Sequence, residues 1–336
     1  MKIVRTDAEL QTPVLDQTLQ QQGHELLLLP DGATEAQLIS AVQDADLLLM
    51  CYTPVTARVI ESATRLKGIV KYGVGIDAID IEAAKARDII VVNVPEYGEE
   101  TVAEGAFTLL LALAKKLLSL DRQMKLSGWA WPEPAWLASD IAGKTVGLIG
   151  FGKIGKQFAR MAGAGFRARV IAYSPDNPAD EMSALSVEKI DDLQELMRQS
   201  DFVSIHCVLT PQSRHLIGER ELRAMKSSAF LINVSRGAIV DEQALVNALN
   251  EGVIAGAGLD VYSQEPLNRQ DHPMAGLFDH PGVILSPHLT FYTREAMARL
   301  EAETLQRCEE ILAGQPVLIK SADTRLAGQT DLATYL

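Results

Sequence analysis

The stretch from Val146 to Gly155 constrains the fold of this 336-residue chain more than any other. An apolar run typical of a buried strand leads directly into a G-x-G-x-x-G turn, and an amphipathic segment typical of a helix follows. In this context the first glycine permits a tight turn, the second lets a pyrophosphate approach the backbone, and the third lets helix and strand pack closely. N–H groups at the helix start then face the phosphate. The turn predicts a dinucleotide site with these contacts: Gly150, Gly152, Lys153, Ile154 and Gly155.

Short apolar runs alternate with amphipathic segments, which is typical of parallel strands joined by helical crossovers. The candidate strands are Lys2–Arg5, Glu25–Leu29, Leu47–Met50, Ile69–Tyr72, Ile89–Asn93, Thr145–Ile149, Arg169–Tyr173, Phe202–Cys207, Phe230–Asn233, Ala257–Leu259 and Val283–Leu285. The candidate helices of the first half are Pro13–Gln22, Glu35–Gln43, Thr56–Ser62 and Ile81–Ala86. Leucine spacing predicts one long connecting helix over Thr101–Lys125 and a terminal helix over Glu295–Ala313, whereas the polar tail gives no strong signal. The chain is therefore α/β, and its length suits two domains.

Composition narrows the class of partner. The net charge of −13 argues against general binding of nucleic acid, which needs a cationic surface. The three cysteines are widely spaced and form no disulfide or zinc pattern, so no metal is expected and a cytoplasmic setting fits. The amino terminus lacks the features of a signal peptide, and the longest apolar run, Phe107–Ala114, is too short to span a bilayer. No membrane partner is expected.

The end of the second strand of the dinucleotide unit bears on cofactor choice. An acid usually stands there and binds the ribose hydroxyls, but Tyr173 is followed by Ser174. This weakens the exclusion of NADP, while no Lys or Arg occurs over residues 175–181 and Asp176 is an alternative acid. We therefore expect NAD as the cofactor, with NADP possible and NADH the better reductant.

Polar residues follow three later strand candidates, where open α/β sheets bind ligands. Taken singly, Arg236 reads as a surface cation, Glu265 as a solvated loop acid and His288 as a structural histidine. A glycine pair, Gly73 and Gly75, lacks the third glycine of a dinucleotide turn and has no assignment from pattern alone.

Taken together, these residues and their order resemble the D-isomer-specific 2-hydroxyacid dehydrogenase family over nearly the whole chain. The matching segments are residues 72–77, 93–95, 101–104, 150–155, 234–237, 259–261, 265–266 and 287–288. The resemblance implies that Arg236, Glu265 and His288 are catalytic. It also implies that Gly73, Val74 and Gly75 form the loop that binds the substrate carboxylate, and that Asp260 contacts the nicotinamide end of the cofactor.

The chemistry of a 2-keto acid suits these residue types. A planar guanidinium such as that of Arg236 can hold both oxygens of a carboxylate. The imidazole of His288 can protonate the keto oxygen as hydride reaches C2, because histidine titrates near neutrality. Glu265 beside it would stabilise the imidazolium and orient the ring.

Further contacts are predicted with less support from pattern. Tyr52 is a candidate for the substrate pocket, although packing explains it equally well. Further candidate cofactor contacts are Thr101, Tyr173, Ser174, Cys207, Val208, Val234 and Ser235.

The resemblance implies two doubly wound parallel-sheet domains, Rossmann-like and flavodoxin-like, with a cleft between them. The substrate-binding domain would comprise residues 1–100 and 290–336, and the dinucleotide-binding domain residues 101–289. Members are commonly homodimers through the cofactor domain. The candidate interface residues, for which intramolecular core is the alternative, are Leu109, Leu110, Leu113, Leu117, Trp129 and Trp131.

The implied function is an NAD(P)-dependent oxidoreductase that moves a hydride between nicotinamide and C2 of a small 2-keto or 2-hydroxy acid of the D series. The alternative is an NAD(H)-sensing scaffold or co-repressor with incidental activity, but a pure scaffold has no need of all three catalytic residues. The loop over residues 94–100 is similar to that of bacterial members related to C-terminal-binding proteins, so a phosphorylated substrate is not implied.

Overall fold

The computed structural model describes residues 1–335; Leu336, the last residue of the predicted discontinuous domain, lies outside them. The strands are β1 (Lys2–Arg5), β2 (Glu25–Leu28), β3 (Leu47–Met50), β4 (Gly68–Lys71), β5 (Ile90–Asn93), β6 (Thr145–Ile149), β7 (Arg169–Tyr173), β8 (Val187–Lys189), β9 (Phe202–Ile205), β10 (Phe230–Asn233), β11 (Gly256–Leu259), β12 (Val283–Leu285), β13 (Val317–Ile319) and β14 (Ala333–Tyr335). The α-helices are α1 (Pro13–Gln21), α2 (Glu35–Val42), α3 (Ala57–Ser62), α4 (Ile81–Lys85), α5 (Glu99–Ala114), α6 (Leu117–Ser127), α7 (Lys153–Arg160), α8 (Ala179–Ser183), α9 (Leu193–Gln199), α10 (Glu219–Ala224), α11 (Glu242–Asn250) and α12 (Arg294–Ala313).

The chain divides into two compact units. Unit 1 comprises Met1–Gly98 and Thr293–Leu336. Its parallel sheet has the order β2-β1-β3-β4-β5, which is the flavodoxin-like order. Strands β3, β4 and β5 are buried throughout because helices cover both faces of such a sheet. Ile311 of α12 packs over Gly68 of β4, where a Cβ would lie 2.9 Å from its side chain.

Unit 2 comprises Glu99–Tyr292, and its parallel sheet has the order β12-β11-β10-β9-β6-β7-β8. This is the Rossmann order extended by one strand. The strand order reverses between β6 and β9, so the loops that follow these two strands meet at the switch point where such sheets bind ligands. The glycine turn directly follows β6 and therefore lies at that point.

The core of unit 2 lies on both faces of its sheet because alternate residues of a strand point to opposite faces. In β10, Leu231 joins one apolar cluster, while Phe230 and Ile232 join the other. Helix α5 contributes Leu110 to the second cluster, where it is fully buried. The sheet edge that carries the glycine turn is thus held rigidly by core on both sides.

One predicted helix is wrong. The predicted single helix over Thr101–Lys125 is two helices, because Lys116 adopts a left-handed conformation with φ 52° and ψ 32°. The Ala114 carbonyl then accepts the Ser139 N–H at 2.8 Å instead of continuing the helix. The leucine spacing continues across this break, and the left-handed residue is not glycine, so the sequence pattern hides it.

Other elements were missed or lie one or two residues from their predicted bounds. Strand β8 was not predicted from the sequence, and the polar tail forms the small parallel pair β13 and β14 in unit 1. Within residues 1–335, no helix combines the length and hydropathy that a membrane crossing requires.

Candidate functional site

The glycine turn is close-packed at Gly150 and Gly155 but open at Gly152. Gly150 has φ +96°, and a Cβ there would lie 2.5 Å from the Cys207 backbone nitrogen. A Cβ on Gly155 would lie 2.7 Å from the Gly150 carbonyl oxygen, so helix and strand approach here too closely for a side chain. A Cβ on Gly152 would meet nothing within 4 Å. The open position stands at the start of α7, whose first N–H groups lack partners within the helix, and this fits a pyrophosphate.

A hydrogen-bonded chain of side chains follows β7. Ser174 Oγ accepts the Phe151 N–H at 3.3 Å and lies 2.7 Å from Asn177 Oδ1. Asn177 Nδ2 donates to Glu181 at 2.7 Å, and Lys156 of α7 pairs with the same carboxylate at 2.5 Å. The hydrogen bond from Lys156, and then that from Asn177, lowers the pKa of Glu181. This ion pair offsets the negative charge of Glu181 within the loop.

Glu265 and His288 are joined directly. Glu265 Oε2 lies 2.8 Å from His288 Nδ1, and Oε1 accepts the Tyr262 N–H at 2.9 Å. Burial raises the pKa of Glu265, but the hydrogen bond and charge of His288, the Tyr262 N–H and the charge of Arg236 outweigh it, and the net pKa is lowered. Arg236 is therefore close enough to act electrostatically on this carboxylate. The three side chains that follow β10, β11 and β12 form one group.

Asp260 anchors the backbone next to His288. Its carboxylate is fully buried and accepts the Leu289 N–H at 3.0 Å, the Thr290 N–H at 3.1 Å and the Thr290 hydroxyl at 2.6 Å. His288 itself has φ +57°, a conformation that costs energy for a residue with a Cβ and persists only where the surroundings impose it. The hydrogen bonds of Asp260 provide that constraint.

Comparison with known proteins identifies the family to which these residues belong. Residues 107–290, more than half of the chain, match the model of the D-isomer specific 2-hydroxyacid dehydrogenase, NAD binding domain. The chain is 42% identical over 289 residues to the glyoxylate reductase of Korarchaeum cryptofilum (strain OPF8), an alignment that covers 84% of this chain and 85% of that protein. This chain belongs to the D-isomer-specific 2-hydroxyacid dehydrogenases.

Solved structures agree with this assignment. A D-lactate dehydrogenase from Aquifex aeolicus, complexed with NAD and lactic acid, matches with a TM-score of 0.83 and 27% identity over 93% of this chain and 96% of that one. An acyclic imino acid reductase in complex with NADPH and D-arginine matches with a TM-score of 0.82 and 31% identity over 94% and 98%. The predicted family, fold class and NAD(P) cofactor are confirmed. The findings support an oxidoreductase and not the scaffold alternative.

The structure of this dehydrogenase distributes the remaining predicted residues between the two units. In unit 2, Ser235 donates its hydroxyl to the Cys207 carbonyl, which joins the loops after β10 and β9. Burial raises the pKa of the Cys207 thiol to about 11, so it stays protonated. Val208 is 64% exposed beside it. The other predicted cofactor contacts are Thr101, buried in α5; Lys153, paired with Glu99 at 3.2 Å; Ile154 in α7; Tyr173 at the end of β7; and Val234, buried after β10.

The predicted substrate residues Tyr52, Gly73, Val74 and Gly75 belong to unit 1. In the loop after β4, Gly73 has a φ of +149°, which favours glycine. Two carbonyls of this loop accept hydrogen bonds: Gly73 O from the Val94 N–H at 3.0 Å, and Val74 O from Asn93 Nδ2 at 2.6 Å. By contrast, the N–H groups of Val74 and Gly75 have no acceptor in the part of the chain that the structure describes.

Sequence reasoning missed two residues at the glycine turn and the loop after β7. Lys189, at the end of β8, donates to the Asn177 carbonyl at 2.8 Å and lies 3.4 Å from that of Pro175. His206 follows β9 and lies next to the turn: a Cβ built on Gly155 would be 3.5 Å from the His206 Cβ. Burial lowers its pKa to about 3, so the ring is neutral. If β8 had been predicted as a parallel neighbour of β7, Lys189 could have been placed near Ser174, because the ends of neighbouring parallel strands lie at the same sheet edge.

We predict that Gly152→Val weakens NADH binding by about tenfold or more, because the side chain would occupy the space that the pyrophosphate needs. The melting temperature should be unchanged, since nothing lies within 4 Å of the new Cβ. Fluorescence titration with NADH and thermal unfolding measure the two effects. Gly150→Val is the matched control and should lower the melting temperature, because its Cβ would clash with the backbone at Cys207. Unchanged NADH affinity in Gly152→Val would exclude the turn as the phosphate site.

Proposed function

We propose that this dehydrogenase reduces a small 2-keto acid to the D-2-hydroxy acid, with His288 as the proton donor. The observation that carries the proposal is the 2.8 Å contact between His288 Nδ1 and Glu265, beside the charge of Arg236. With Nδ1 directed to Glu265, Nε2 is the nitrogen that presents a proton to the keto oxygen. Glu265 has a lowered pKa and remains ionised, so it stabilises the imidazolium and orients the ring.

The other roles follow from charge and geometry. A bound nicotinamide supplies the hydride for C2. Arg236 holds the substrate carboxylate, because a guanidinium donates two parallel hydrogen bonds to such a group. Its Nη1 donates to the Ser235 carbonyl at 2.7 Å, which orients the side chain. In unit 1, the resemblance to the family assigns the Val74 and Gly75 N–H groups to substrate binding and Tyr52 to the substrate pocket. Unit 1 is then the substrate-binding domain and unit 2 the dinucleotide-binding domain, with Asp260 as the anchor of the His288 loop and a contact of the nicotinamide end.

A turnover screen tests this proposal. Purified enzyme with NADH should reduce at least one of glyoxylate, pyruvate, hydroxypyruvate, phenylpyruvate, 2-ketobutyrate and 3-phosphohydroxypyruvate, and the match to a glyoxylate reductase favours glyoxylate. His288→Ala should lower kcat by about 100- to 10,000-fold, the usual effect of losing a general acid. The Kd for NADH should stay within experimental error.

The exposed His215, also in unit 2, provides the control, and His215→Ala should leave kcat unchanged. Near-normal turnover of His288→Ala would place the proton donor elsewhere. Absence of turnover with every keto acid and both cofactors would count against the proposed function itself.

For the cofactor, we propose that NADH is preferred and that NADPH is also used. Ser174 replaces the acid that would repel a 2′-phosphate, and Lys189 brings a cation to the loop that follows it. Asp176 in this loop and Asp180 in α8 are exposed, and their negative charges disfavour the 2′-phosphate of NADPH, so NADH remains the preferred cofactor.

Lys189→Glu should therefore weaken NADPH binding by about tenfold, the effect of about 1.4 kcal/mol, while NADH binding changes little. Fluorescence titration of both cofactors measures the difference. Lys144→Glu makes the same charge change beside the start of β6, at the opposite edge of the sheet, and should affect neither cofactor. Equal loss of both cofactors in Lys189→Glu, or tighter binding of NADPH than NADH by the wild type, would contradict this assignment.

We further propose a homodimer formed through α6 and the segment that follows it. Leu109, Leu110 and Leu113 are buried in the core of unit 2, so they are unavailable as interface residues. Leu117, Trp129 and Trp131 are 59%, 58% and 77% exposed, and the rings of Trp129 and Trp131 lie 6.0 Å apart. Large exposed apolar groups of this kind mark interaction surfaces.

Sedimentation velocity should show a dimer at micromolar concentration, and Trp131→Glu should shift it toward monomer because a charge would be buried at the interface. Val14→Glu in α1 of unit 1, where Val14 is 62% exposed, serves as the control. A wild-type monomer, or a Trp131→Glu protein that stays dimeric, would rule out this surface.

A further inference from the structure

Lys71 in unit 1 is a buried cation without a carboxylate partner. It ends β4 and is 6% exposed. Its ammonium donates to the Cys51 carbonyl, lies 3.4 Å from Cys51 Sγ and stands 5.4 Å from the centre of the Tyr52 ring. Within residues 1–335, no carboxylate oxygen lies within 4.0 Å of it. Because buried charges are normally paired and an ammonium has three donors, this arrangement leaves both a charge and a donor for an anion.

The position of the ammonium points to the same loop that exposes N–H groups. A Cβ built on Gly73 would lie 3.1 Å from Lys71 Nζ, so the lysine side chain runs directly beneath Gly73. The N–H groups of Val74 and Gly75 follow at once and have no acceptor among the described residues. Successive N–H groups in a turn form a concave site for anions, and a cation beneath it strengthens that site.

The buried acid Asp7 also binds the loop that carries Cys51, but it forms no ion pair with Lys71. The Asp7 carboxylate accepts the N–H groups of Cys51 at 2.8 Å and Tyr52 at 2.9 Å. The hydroxyls of Thr6 and Thr53 donate to it at 2.6 Å and 2.8 Å. Burial raises the pKa of Asp7, but these hydrogen bonds outweigh burial and lower it, so the carboxylate is ionised and its oxygens are occupied. Asp7 holds the N–H of Cys51 while Lys71 holds its carbonyl, and the loop bearing Tyr52 is fixed from both sides.

We propose that Lys71 is a substrate-binding residue whose ammonium, together with the N–H groups of Val74 and Gly75, binds the carboxylate of the 2-keto acid. This inference rests on the proposed function. It gives unit 1 a cation of its own for the recognition of the substrate. It also gives a reason for a lysine at a strand end that is otherwise buried, where an apolar residue would pack without a desolvation cost.

The test compares Lys71→Met, which removes the charge but keeps the length of the side chain, with Lys67→Met. Lys67 is an exposed lysine just before β4, at the opposite end of the same strand, so the change in net charge is identical. For the best keto acid of the wild type, Lys71→Met should raise KM by about 10- to 100-fold, the loss expected for a hydrogen bond to a charged group. The inhibition constant of oxamate, a non-reducible carboxylate analogue, should rise in parallel.

The separate effects on KM and kcat distinguish a role of Lys71 in substrate binding from a structural role. We expect kcat within about threefold of wild type, because loss of uniform binding raises KM alone. NADH affinity should be unchanged. A fall in kcat with KM and oxamate inhibition unaltered, or kinetics that match Lys67→Met, would overturn the proposal. Lys71→Gln, which keeps a donor without charge, is judged by the same criteria if the methionine variant does not fold.

Calorimetric titration of oxamate into the NADH-loaded wild type and Lys71→Met needs no turnover. If the wild type reduces no keto acid, the proposed function fails. Weaker oxamate binding in Lys71→Met alone would then still support Lys71 as an anion-binding residue, and equal binding in both proteins would refute it.

Discussion

The buried carboxylate of Asp260 is the constraint on which the arrangement of the proposed catalytic residues depends. It joins the end of β11 to the loop after β12 through the N–H groups of Leu289 and Thr290 and the Thr290 hydroxyl. That loop holds His288 at a positive φ, where the ring meets Glu265. An uncommon conformation of this kind persists only where the surroundings impose it, and these hydrogen bonds fix the backbone directly after His288. Asp260 thus helps to set the position of the proposed proton donor through the backbone next to it.

Unit 1 uses the same device at its own sheet edge. Asp7 follows β1 and accepts hydrogen bonds from the loop after β3, as Asp260 follows β11 and holds the loop after β12. Both are aspartates buried to within 1% of full burial. Parallel strands end at one edge with their loops unpaired to each other, so a short acid that accepts several N–H groups is an effective tie between neighbouring loops. In each unit, the tied loop carries a residue assigned to substrate or chemistry.

Sequence reasoning predicted the features whose signals are local and failed where partners come from separate elements. The glycine turn was found because strand, turn and helix are consecutive. Arg236, Glu265 and His288 were each ambiguous alone and were assigned through resemblance in their order along the chain. Lys189 was missed because β8 is short and Lys189 reaches the Ser174 loop only through strand pairing. The break at Lys116 could not be predicted from the sequence, because the leucine pattern that predicts a helix indicates which residues are buried and not whether the backbone is continuous.

The hydrogen-bond donors around such an aspartate explain why it can be buried in its ionised form. Moving a carboxylate out of water favours its neutral form, and a neutral acid accepts fewer and weaker hydrogen bonds. At Asp7 the donors from Thr6, Cys51, Tyr52 and Thr53 outweigh burial, since the net pKa is lowered. Each donor is itself a backbone N–H or hydroxyl that would otherwise lack a partner in the interior. The same hydrogen bonds therefore stabilise the buried carboxylate and provide partners for the N–H groups of the loop, and they hold the loop in place. Lys71 differs in this respect, because its donors are not all used within unit 1, and a group that the fold leaves incompletely satisfied is where a ligand gains most by binding.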